Sequence, residues 1–122
     1  MITRFAIAGL GVVLGGSAVF AEATQFDGTY SIAGDVSVCI VGEGDVAGAA
    51  LRIHDGVLES IESQCQLTNP TNIRDMDAIL FDMVCSGEGM EWTDRVFMKR
   101  MPDQSLLIVS NGFFNSYPRC PD

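Results

Sequence analysis

The chain has 122 residues, 16 of them acidic against 7 basic, for a formal net charge of −9. A surface of that sign repels nucleic acid and anionic lipid, which excludes both as natural partners. It favours cationic proteins, peptides or metal ions, with plain solubility as the bland alternative.

Residues 1–21 read as a cleaved export signal. Arg4 stands near the start, an uncharged apolar run covers 5–20, and Ala-Glu-Ala follows, with Val19 and Ala21 three and one residues before the cut. A cut after Ala23 is the close rival. The apolar run is shorter than the roughly 20 residues a spanning helix needs. The expectation is a single domain over 22–122, periplasmic or secreted, with no membrane span after cleavage.

All four cysteines, Cys39, Cys65, Cys85 and Cys120, fall in that domain. An even count in a small exported chain predicts two disulfides. A zinc site is not expected, because no Cys-x-x-C pair exists and the one histidine is His54. No cofactor, metal ligand or catalytic residue is assigned. Of the three possible pairings, Cys65–Cys85 nested inside Cys39–Cys120 is favoured. The inner bond would join consecutive segments, and the outer would tie down both ends of the domain.

In chain order, turn residues flank a short run over 29–32, and residues 36–41 are β-branched and apolar, as a strand requires. Leu51 and Ile53 alternate with Arg52 and His54 before Asp55-Gly56, a hairpin turn. Residues 57–67 fit either a helical stripe or one strand face, and the turn before them favours strand. A loop is expected around Asn69-Pro70. Residues 77–85 are apolar on both faces, as in a well-covered strand. After Ser86 to Gly89 turns the chain, Trp92, Val96 and Met98 alternate with Thr93, Arg95 and Phe97. A further strand precedes Asn111-Gly112, a second hairpin signal, and Pro118 limits the last segment to an edge. The fold class is therefore all-β: a small antiparallel meander of six or seven strands forming a barrel or sandwich, stapled by two disulfides.

From Glu62 to the C-terminus the chain resembles a group of short exported bacterial four-cysteine proteins. The resemblance rests on Cys-x-Leu-Thr-Asn-Pro at 65–70, Arg-Asp-Met at 74–76, Cys-Ser-Gly-Glu-Gly at 85–89 and Arg-Cys at 119–120. It implies the four-cysteine framework and no particular activity.

Gly-Glu-Gly occurs twice, at 42–44 and 87–89. Neither copy precedes a helix, so phosphate binding is not expected. Calcium would need six to eight oxygens, and carboxylate crowding alone does not supply them. The preferred reading is that the glycines shape tight turns. His54 reads as a surface residue, and Ser86 lacks a nucleophile motif. Arg95 and Arg119 are expected to pair with carboxylates such as Glu62, Glu88 or Glu91. The functional expectation is a non-catalytic module for a cationic envelope protein or peptide, with Glu88, Glu91, Trp92 and Arg95 as partner contacts. The alternatives are a glycan hydrolase using Glu88 and Glu91, or a structural envelope protein. For the last, Phe113, Phe114 and Tyr117 would form a contact patch, although filling the end of the core is the favoured role for them.

Overall fold

The computed structural model describes residues 24–42 and 48–122. The export-signal segment and the Glu43-Gly44-Asp45 part of the first Gly-Glu-Gly stretch lie outside the described residues. After a 3-10 turn, Thr24–Phe26, nine strands follow among the described residues. They are β1 (Gly28–Ser31), β2 (Ile40–Val41), β3 (Ala49–His54), β4 (Val57–Ser60) and β5 (Ser63–Ile73). Then come β6 (Ala78–Gly87), β7 (Met90–Arg100), β8 (Leu106–Ser110) and β9 (Phe113–Tyr117).

From β3 to β9 each strand pairs antiparallel with the next, β1 pairs with β3, and β2 lies parallel to the start of β3. Tight turns enforce this order. Asp55 and Gly56 have φ of 53° and 77°, and Glu88 and Gly89 have 50° and 78°. Positive φ at both central residues is what a type I′ hairpin requires. The sheet nearly closes into a barrel. Beyond β9, the Pro118 carbonyl accepts a 2.8 Å bond from the Ser31 N–H, and the Cys120 N–H donates at 2.8 Å to the Thr29 carbonyl. Cys39–Cys120 and Cys65–Cys85 are the disulfides, in the nested arrangement expected. Such bonds belong to an oxidising, extracellular-type environment. Among the described residues no helix is long and apolar enough to cross a membrane.

Three local expectations change. The segment 57–67 contains two strands, because Ile61 and Glu62 turn the chain, with Glu62 at φ 46°. The loop expected at Asn69-Pro70 is instead a bulge inside β5, where the register against β6 shifts between Thr68 and Thr71. Pro70 has no N–H to give the ladder, and a bulge is where a strand tolerates that. Asn69 takes φ 50°, and its amide reaches Asp82 at 2.9 Å. Of residues 36–41, only Ile40 and Val41 join the sheet; the others bend toward Cys39 and its bond to Cys120.

The core is uneven along the barrel axis. Phe26, Tyr30, Ile79, Phe81, Met98 and Leu106 are fully buried and fill one end. The Phe26 ring meets Phe81 edge-on at 6.1 Å and plugs that end. Toward the other end the inward positions carry Ser60, Ser63 and Ser110. Small residues there leave the barrel open, so the molecule is a cup.

Candidate functional site

The open end is built from the β4–β5, β6–β7 and β8–β9 turns. Inside it lies a cavity of about 250 Å³. Its floor is apolar: Leu51, Leu58, Val96 and Ile108, with the Cys65–Cys85 bond in the wall. Strand alternation places Trp92, Asp94, Val96 and Met98 on the inner face of β7. Trp92 lies opposite Cys85 at the lip, and Asp94 lies opposite Met83 one step deeper. Among the described residues Asp94 is the one charged residue in the cavity wall. Phe113 completes the lip from β9.

A shallow groove continues from the cavity between the β4–β5 turn and the β6–β7 hairpin. Ile61, Glu62, Glu88, Met90 and Trp92 border it. Met90 is 65% exposed, Phe113 55% and Trp92 38%. Glu62, Glu88, Glu91 and Asp94 make no ion pair among the described residues, whereas Glu59, Asp75, Asp82 and Asp122 each pair with an arginine. Unpaired negative charge and exposed aromatic surface thus share one end of the molecule.

The residues singled out in the sequence are placed unequally. Trp92 and Glu88 reach the mouth and the groove. Glu91 lies on the outer face of β7, opposite Ser86. Arg95 is also outward and pairs across the ladder with Asp82 at 3.1 Å. Its partner is therefore Asp82, not Glu62, Glu88 or Glu91, because Asp82 is its register neighbour. Arg119 lies 3.8 Å from Asp122 and stacks over the Tyr30 ring at 6.0 Å. His54 is exposed beside Asp55. Phe113 and Phe114 are exposed and do not fill the core; Tyr117 packs against it. Asp94, weighed in the sequence only with Glu88 and Glu91 as crowded carboxylates, was not among the expected partner contacts, although its place on the same strand face as Trp92, Val96 and Met98 was the signal available for it.

Glu88 sits at the hairpin tip and Glu91 on the outer wall, so no cleft separates them as the two carboxylates of a glycosidase require. Among the described residues no group of histidine, cysteine and carboxylate side chains is arranged to hold a metal ion. The shifted titrations lie elsewhere. At the closed end the Tyr30 hydroxyl donates to the Phe26 carbonyl at 2.7 Å and accepts from Arg100 at 2.7 Å. Burial pushes its pKa above the usual value of 10.0, against the pull of Arg100 and Arg119. Burial also raises Asp27 above 3.8, with His54 opposing. Asp103 is lowered by the hydroxyl and N–H of Ser105, which its Oδ1 binds at 2.6 and 3.0 Å. The Tyr30 bonds brace the plugged end.

No family model matches the chain, and neither a curated protein nor a solved structure is significantly similar to it.

Proposed function

We propose that this protein is a periplasmic or secreted, non-catalytic binding module that captures a cationic protein or peptide at the open end of its barrel. The observation that carries the reading is the coincidence at the mouth of unpaired Glu62, Glu88 and Asp94 with exposed Met90, Trp92 and Phe113, with Glu91 beside them on the outer face of β7. Aromatic anchors ringed by charge are what interface centres and rims are made of. The acidic rim steers a basic partner in, and the apolar lip supplies area once water leaves. Trp92 also offers its ring face to a lysine or arginine head.

The test is titration of the oxidised protein with a panel of basic secreted proteins at low and moderate salt. A ligand of the mouth binds more weakly as salt rises. Glu62→Gln with Glu88→Gln and Glu91→Gln weakens it roughly tenfold, ~1.4 kcal/mol. Binding indifferent to both salt and these substitutions, or no binding to any basic protein, refutes the reading.

A further inference from the structure

β7 has an open stretch of edge beside the cavity. β7 pairs with β6 over its whole length, from Met90 opposite Gly87 to Lys99 opposite Ala78. On its other side β8 covers only Phe97 to Arg100. The earlier part of β7, from Met90 to Arg95, is exposed throughout. Among the described residues no other backbone group bonds to that edge. The two-residue turn makes Gly87 and Met90 a mutually hydrogen-bonded pair, so alternate residues after Met90 face away from β6. Glu91, Thr93 and Arg95 therefore turn their N–H and C=O groups to the gap between β7 and the β8–β9 turn. The same stretch of strand forms the cavity wall through Trp92 and Asp94.

We infer that the partner presents an extended cationic segment, which adds to the open edge of β7 and completes the barrel wall. One of its lysine or arginine side chains enters the cup against Asp94. This rests on the binding reading above and specifies its mode. Edge addition takes affinity from backbone bonds and specificity from alternate side chains. In register, partner residues opposite Trp92 and Asp94 point inward, while those opposite Glu91, Thr93 and Arg95 point outward and supply the N–H and C=O groups.

The cup sets what can enter. About 250 Å³ is below the roughly 300–1,000 Å³ of pockets that enclose a drug-sized ligand. It suits one long side chain. Entering past Trp92, such a chain meets the aromatic face first and the Asp94 carboxylate next. The serine hydroxyls of Ser60, Ser63 and Ser110 line the same wall. An aliphatic stem with a cationic head matches that sequence of surfaces; an anionic or wholly apolar chain would leave Asp94 buried without a partner. A second copy of this chain is the disfavoured occupant, because both copies carry the same net charge of −9 and repel each other.

The probe is a capped peptide of alternating lysine and valine, added to the full oxidised protein and followed by amide hydrogen exchange. Exchange at Glu91, Thr93 and Arg95 should slow at least tenfold at saturation. With lysines inward, the bonding N–H groups belong to the valines. N-methylation of the valines should therefore cost at least tenfold in affinity, and N-methylation of the lysines far less. Asp94→Asn should weaken the lysine peptide while leaving the unbound exchange pattern unchanged. Equal binding of the two methylated peptides, or unaltered β7 exchange at millimolar peptide, overturns the inference. If basic proteins still bind in a salt-dependent way, the wider reading survives that result; if none binds, the reading itself has failed. Protection of the same amides by self-association, without peptide, would name a second copy as occupant and also overturn it.

Discussion

At the scale of single residues, Gly87 sets how closely β5 and β6 approach at the mouth. A Cβ there would lie 2.5 Å from the Glu62 carbonyl oxygen and 2.8 Å from the Ser63 Cβ. Gly87→Ala should push the β4–β5 turn outward and cost about 1–3 kcal/mol, the usual range for overpacking. Denaturant unfolding measures the cost, and an unchanged midpoint would show that the turn yields freely. The middle glutamate of the same Gly-Glu-Gly needs only a left-handed conformation, so Glu88→Asn should leave stability nearly unchanged. Asp27 works against the fold at neutral pH. Its folded pKa is raised above 3.8, so its relative contribution is fully present below 3.8 and is lost as pH rises through the folded value. Asp103 has the opposite sign: its folded pKa is lowered, so its contribution is present above 3.8 and lost as pH falls through the folded value. Asp27→Asn should therefore flatten the loss of stability between mildly acidic and neutral pH, and Asp103→Asn should remove part of the acid-side loss. Urea midpoints across pH give both slopes; parallel curves for wild type and Asp27→Asn would contradict the first.

Among the elements, the seam between β1 and the segment after β9 is the weakest closure. The two backbone bonds that form the isolated bridge of Tyr30 to Arg119 hold it, beside the Cys39–Cys120 bond. That bond spans 81 residues and Cys65–Cys85 spans 20, worth about 4–5 and about 3 kcal/mol on the chain-entropy model. Replacing Cys39 and Cys120 by serine should thus cost more than replacing the inner pair. It should also free the amides of Ser31 and Cys120 to exchange while those of β6 and β7 stay protected. Uniform loss of protection would mean that the seam is no separate unit. The hairpins around Asp55-Gly56 and Glu88-Gly89 were legible because their turn chemistry is local. The bulge at Asn69-Pro70 was not, since a proline that ends a strand and one that dents it look alike until the opposite strand is known. The candidate site was half legible for a similar reason. Trp92 and Glu88 stood out as residue types, but the lip formed by Trp92 and Phe113 joins two distant hairpins. The open edge of β7 depends on where β8 stops.

For the molecule as a whole, the excess of negative charge acts on folding and on binding with opposite signs. Self-repulsion at a net charge of −9 lowers stability at low ionic strength. Raising salt from about 0.01 M to about 0.15 M shortens the Debye length from about 30 to about 8 Å. That should stabilise the fold by ~1 kcal/mol, or about 4–8 °C in Tm for a domain of this size. The same change should weaken capture of a basic protein at the mouth. A Tm that falls with salt would mean that the ion pairs of Arg52 with Glu59 and Arg95 with Asp82 outweigh the general repulsion.

The outer disulfide has a mechanical consequence. Tension applied through residues before Cys39 and after Cys120 passes through that covalent bond, so β2 to β9 carry none of it. β1 alone lies outside the clamp. Under load, β1 and the 3-10 turn carrying Phe26 would peel away first, withdrawing the plug from the closed end while the mouth keeps its shape.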